Sequence, residues 1–120
     1  MRFIQEFGYT VKVGQDEAHQ RWLIANDARL KASSPPGTRY IGTFAVVFGS
    51  EKQAGGYRAL FELDSYAALD VSAAAARDAG SEFGSLLRES SQFIDVSLDA
   101  PWSNSLLKDV IDATIWDPTG

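Results

Sequence analysis

The sequence predicts an α+β domain built on an antiparallel sheet, and three observations carry that prediction. A period-two apolar pattern begins almost at Met1. Two extended segments, Thr38 to Phe48 and Tyr57 to Asp64, are separated by a glycine-rich break. Stretches with helical periodicity are interspersed between such strands instead of forming a block of their own. With 120 residues the chain suits one domain and one core, taken as residues 1–120.

The first strand is read from Phe3, Phe7, Tyr9, Val11 and Val13, which alternate with Arg2, Glu6, Gly8, Thr10 and Lys12. Gln5 falls in phase with the apolar set. Gly14 ends the strand. Asp16, or Gln15 before it, is placed to cap a first helix, with Glu17 where the helix dipole favours negative charge. Two rows, Ala18-Trp22-Ala25-Arg29 and His19-Leu23-Asn26-Leu30, merge into one stripe centred on Trp22 and Leu23. The run Ser33-Ser34-Pro35-Pro36-Gly37 stops the helix, because proline cannot continue it and restricts the residue before it.

The next two strands form the centre of the chain. Tyr40, Gly42, Phe44, Val46 and Phe48 are expected on one face of the first, and Ile41, Thr43, Ala45 and Val47 on the other. Both sets are largely apolar, so this strand is expected to be covered on both sides. In its partner, Tyr57, Ala59, Phe61 and Leu63 share one face, and Arg58, Leu60, Glu62 and Asp64 the other. Asp64 or Ser65 is placed to cap a second helix, in which Tyr66, Leu69, Ala73 and Ala76 follow a helical path. Asp78-Ala79-Gly80 breaks it. Ser81 then opens a third helix with Phe83, Leu86 and Leu87 as its apolar stripe. Phe93 to Leu98 alternates and reads as a fourth strand. Residues 103–120 read as a C-terminal extension: a helical turn near Ser105 to Lys108 and then a strand, although Leu106, Leu107, Val110 and Ile111 also fit a longer helix.

The resulting order of strands and helices matches the split βαβ, or ferredoxin-like βαββαβ, plan, an antiparallel sheet with helices on one face. The other face then bears Ile41, Ala45, Val47 and Leu60, or else their opposite set, in either case an apolar patch large for a monomer, and a second copy of the sheet is the economical cover. The Thr38–Phe48 and Tyr57–Leu63 strands, the Trp22 helix and the segment Phe61-Glu-Leu-Asp-Ser-Tyr-Ala-Ala-Leu together resemble the dimeric α+β barrel superfamily. That group includes antibiotic-biosynthesis-type monooxygenases and EthD-like proteins. The resemblance implies a sheet-to-sheet homodimer, with the C-terminal extension able to embrace the partner. No catalytic motif of the superfamily maps residue for residue onto this chain.

Composition removes several function classes. Eleven basic against sixteen acidic residues give a formal net charge of −5, which does not attract a phosphate backbone, so nucleic acid is not an expected partner. There is no cysteine, which excludes disulfides, thiolate nucleophiles and cysteine-ligated metals. No apolar run approaches a membrane span, and no secretory pattern opens the chain, so a cytoplasmic location is expected.

His19 is the sole histidine and the candidate catalytic group, a general base on the first helix facing the sheet across a pocket. The competing reading makes it a partly exposed helix residue. One histidine without HxH, HxxxH or HxxE spacing predicts no metal, and no cofactor is expected. Gln5, Tyr9, Trp22 and Asn26 are candidate ligand-binding residues between the sheet and the first helix, unless the aromatics simply fill the core. Arg39, Arg58 and Tyr57 could hold an anion at a strand end, unless the arginines pair with Glu62 and Asp64. The function expected is a cofactor-independent enzyme, of monooxygenase or proton-transfer type, acting on a small apolar or aromatic ligand. The alternative is a non-catalytic small-molecule-binding or oligomerisation module, with haem degradation a weaker third option.

Overall fold

The computed structural model describes residues 2–49, 55–98 and 102–111. In chain order the elements are β1 (Phe3–Tyr9), α1 (Asp16–Ser33), β2 (Thr38–Ala45), β3 (Tyr57–Leu63), α2 (Ala68–Arg77), α3 (Glu82–Ser90), a short 3₁₀ turn (Ser91–Phe93) and β4 (Trp102–Lys108). The strands form one antiparallel sheet in the order β2-β3-β1-β4. Four antiparallel strands with three α-helices make an α+β fold, as the patterning predicts.

Alternation along β1 sorts the sheet into two faces. Phe3, Gln5, Phe7 and Tyr9 stand opposite Leu63, Phe61, Ala59 and Tyr57 on one side and Lys108, Leu106, Asn104 and Trp102 on the other. This is the face the helices cover. Phe61 and Tyr40 pack with Leu30 of α1 and with Phe83 and Leu86 of α3. A second cluster joins Phe3 and Leu63 to Ala68 at the start of α2. The third helix is as expected: the Ser81 hydroxyl accepts the Gly84 N–H at 3.0 Å, and Phe83 and Leu86 are buried. Gly84 also sets the corner between α2 and α3, since an added Cβ would lie 2.2 Å from the Asp78 carbonyl oxygen.

Several expectations are corrected. The fourth strand is Trp102–Lys108, not Phe93–Leu98, so residues 103–108 belong to the sheet and not to an extension with a helical turn. Ile94 makes only an isolated bridge to Val11, and Asp95 folds the chain away by accepting the Ser97 N–H. Val96 and Leu98 are exposed, so their alternation follows no sheet face. For the same reason β1 ends at Tyr9: beyond it Thr10 and Lys12 bond to Asp95 and Phe93, and Val13 is exposed. Residues 112–120, on which the expected terminal strand falls, and most of the 49–56 break lie outside the described residues.

On α1 the buried residues come from one of the two expected rows, the one that begins at His19. Its buried side chains are His19, Asn26 and Leu30, while Trp22 and Leu23 are only half-buried. Gln15, not Asp16, occupies the cap position and makes no side-chain cap bond. On α2 the Ser65 hydroxyl accepts the Ala68 N–H at 3.2 Å, one turn before the helix proper.

The strict alternation read for β2 also fails, because a bulge at Ile41 leaves Tyr40 opposite Phe61 and Gly42 opposite Leu60. Past it the phase inverts. Thr43 returns to the helix-covered face, where its hydroxyl meets the Tyr40 hydroxyl at 2.6 Å. Ala45 follows Thr43 to that side, and Val47 lies beyond the strand. The outer face is therefore less apolar than expected. Ile4, Leu60, Phe44 and Leu107 share it with a Glu6–Arg58 ion pair at 3.0 Å and with Arg39, Glu62 and Arg2.

Candidate functional site

A cavity on the helix-covered face lies over β1, between the sheet and α2–α3. Phe7 and Phe61 rise from the strands to form its floor. Phe83 and Leu87 of α3 and Leu69 of α2 form its walls, and the volume is about 340 Å³. On the α2 side the lining includes the small side chains Ala73 and Ala76. Alanine favours the helix but fills little volume. A neighbouring hollow of about 230 Å³ shares Phe7, Phe61 and Leu87, and extends toward Tyr9, Ile94 and Trp102.

The polar groups of the larger cavity are few. Gln5 on β1 and Asn104 on β4 are diagonal neighbours across the strand pair, and Gln5 Nε2 donates to Asn104 Oδ1 at 3.3 Å. Asp70 and Ser72 of α2 complete the lining. Among the described residues, no lysine or arginine lines either space. An apolar enclosure with a small set of hydrogen-bonding groups is the usual form of a small-molecule site.

His19 lies apart from that cavity. It is 2% exposed, so it is a buried residue and not the partly exposed one of the competing reading. Its Nε2 lies 2.8 Å from the Tyr9 hydroxyl, its ring meets that of Tyr57 edge-on at 4.6 Å, and Phe93 closes another side. Nδ1 is buried with no hydrogen-bond partner among the described residues. Burial lowers the imidazole pKa, and Asp16 opposes this only in part, so the ring is neutral near pH 7. Burial likewise raises the pKa of the Tyr9 phenol, which keeps its proton. The expected general base thus faces the sheet, but aromatic rings occupy the space across from it.

The other predicted residues separate into three groups. Gln5 lines the larger cavity and Tyr9 the smaller. Trp22 and Asn26 line neither. Trp22 Nε1 donates to Glu89 at 3.1 Å, tying α1 to α3. Asn26 uses its amide within α1, donating to the Trp22 carbonyl and accepting from Arg29. Arg39 and Arg58 stand on the outer face, away from both spaces. Arg39 bonds Glu62 and Asp64, and Arg58 bonds Glu6 and the Gly55 carbonyl. Tyr57 is on the inner face, and its hydroxyl donates to Asp16 at 2.8 Å. The three do not converge on an anion site. From the sequence Phe7, Leu69 and Leu87 read as apolar positions of their elements and not as the lining of a cavity, and Asn104 carried no assignment. Asn104 could have been found only by placing the last strand correctly.

No family model matches the chain, and no curated protein matches it. Solved structures do. A NIPSNAP family protein from Agrobacterium tumefaciens is similar with a TM-score of 0.63 at 12% identity, over 88% of this chain and 83% of that one. An uncharacterized NIPSNAP-like domain protein from Burkholderia xenovorans gives 0.62 at 13% identity, over 99% and 94% of the two chains. A Mycobacterium tuberculosis protein gives 0.53 at 17% identity, over 91% and 95%. At such identities the likeness speaks for the fold alone, a ferredoxin-like α+β fold shared with NIPSNAP-family proteins. Among the described residues no helix is long and apolar enough to cross a membrane.

Proposed function

We propose that this protein is a binding domain for a small, mostly apolar or aromatic ligand, held in the cavity between the sheet and α2–α3, and that it works as a homodimer joined through the outer face of the sheet. The observation that carries the reading is the cavity of about 340 Å³, walled by phenylalanine, leucine and alanine, with one amide pair at its edge. The dimer is supported by Ile4, Leu60, Phe44 and Leu107 on the outer face, whose neighbouring charges already have partners within the chain. The resemblance of the strand pattern to dimeric α+β barrels points the same way.

Ala73→Phe tests the binding site. The new ring fills the cavity from an exposed helix position, so the fold should persist. A ligand at 100 times its Kd should stabilise the natural protein by about 2.7 kcal/mol. The variant should show no such gain. An unchanged gain in the variant would remove the cavity from consideration.

A second reading, proton-transfer catalysis, is favoured by one observation. Tyr9 walls the smaller hollow while its hydroxyl contacts the buried His19. Under it, Tyr9 is the group nearest a ligand and His19 positions it. Turnover of quinols or phenols by the pure protein, abolished in Tyr9→Phe, would establish this reading over simple binding.

A further inference from the structure

The chemistry of the cavity edge selects among ligands. Gln5 and Asn104 share one amide–amide hydrogen bond. A primary amide carries one carbonyl and one NH₂ group, so this single bond leaves Gln5 Oε1 and Asn104 Nδ2 without a partner among the described residues. Turning both amides over reverses the bond but still leaves one carbonyl and one NH₂. In either arrangement the cavity edge offers an acceptor beside a donor. The shape that answers both is a planar group with N–H next to C=O, as in a lactam or a carboxamide.

The remaining lining sharpens the choice. The described residues give the cavity no cation, whereas Asp70 contributes a carboxylate, so an anionic ligand meets no counter-charge there. Both arginines expected to hold an anion are on the far side of the sheet, paired with Glu6, Glu62 and Asp64. Phe7 and Phe61 are common to both spaces and stand edge to face with centroids 6.1 Å apart, so an aromatic ligand can stack on one ring while it meets the edge of the other.

We infer that the ligand is a neutral, planar aromatic molecule bearing a lactam or carboxamide edge, read by the Gln5–Asn104 pair, and that the site discriminates against carboxylates. The inference rests on the cavity being a ligand site.

Three probes of similar size separate the possibilities: a quinolone lactam, naphthalene and naphthoate. Binding to the full chain is followed by amide NMR shifts, and unfolding temperature checks the fold of each variant. The lactam should bind roughly tenfold more tightly than naphthalene, as expected where a site's polar groups would otherwise go unmatched. Naphthoate should bind most weakly. In Asn104→Leu, at an exposed strand position, the lactam should fall to the level of naphthalene while naphthalene itself changes little. Equal binding of lactam and naphthalene by the natural protein, or an unchanged ratio in the variant, would overturn the inference and leave the cavity standing. If none of the three shifts residues around Phe7 and Phe61, the cavity reading falls, and this inference with it.

Discussion

The Tyr9 hydroxyl and His19 Nε2 meet at 2.8 Å, joining β1 to α1 by a hydrogen bond enclosed in aromatic side chains. His19 Nδ1 already lacks a partner among the described residues, so Nε2 is the ring's one satisfied nitrogen. Tyr9→Phe would leave both nitrogens unmatched. The expected loss is about 1–3 kcal/mol, the range for an unsatisfied buried polar group. Urea unfolding should show it as a lower midpoint with an unchanged slope.

The same histidine gives stability a pH dependence whose sign is fixed. Burial holds its folded-state pKa below the usual value of about 6.5, so the unfolded chain binds more protons near pH 6. The contribution of the neutral ring is complete above about pH 7, declines as pH drops through about 6.5, and levels off below the folded-state value. Glu62 and Asp64 are lowered by hydrogen bonds from their arginine partners, so their contribution is lost in a more acidic range. Unfolding free energy measured between pH 7.5 and about 5 should therefore fall in the natural protein and flatten in His19→Gln.

Gly84 admits no side chain. A Cβ there would sit 2.2 Å from the Asp78 carbonyl oxygen and 2.6 Å from that of Ala75, both backbone atoms that cannot swing aside. Gly84→Ala should cost about 2 kcal/mol or more through overpacking at the α2–α3 corner. Gly56→Ala, where nothing lies within 4 Å, should cost far less. Thermal unfolding of the two variants side by side checks the contrast.

Leu60 stands in the middle of the outer sheet face, on the strand next to β1. Leu60→Asp should shift the protein to half its mass in light scattering while leaving its far-ultraviolet circular dichroism unchanged. A natural protein that already sediments as a monomer at micromolar concentration would remove the proposed dimer.

Local chemistry was legible in the sequence wherever one residue settles the outcome. Ser81 caps α3, the prolines after Ser34 end α1, and the phase of Gln5 with Phe3 and Phe7 puts it on the covered face. What escaped depends on neighbours far along the chain. Ile94, Val96 and Leu98 alternate as convincingly as a strand, yet β1 takes its second partner from Trp102–Lys108, where Ser103, Asn104 and Ser105 mask the pattern. The alanines of α2 divide by position: Ala68 packs on Phe3 and Leu63, Ala75 and Ala76 pack against the core around Phe61, and Ala73 and Ala76 border the cavity, a division that the helical path alone does not give. The helical row shared with Leu23, Asn26 and Leu30 put His19 on the covered side of α1, but its enclosure was not legible because Tyr9, Tyr57 and Phe93 come from three separate segments.

The extra residue at Ile41 has a bearing on how copies of the chain can meet. β2 is a border strand of the sheet, and an incoming strand would have to match an unbroken row of main-chain N–H and C=O groups there. The irregularity between Tyr40 and Gly42 interrupts that row and twists it out of line. Growth of the sheet sideways through β2 is thereby discouraged, which agrees with the flat, face-to-face contact proposed for the dimer.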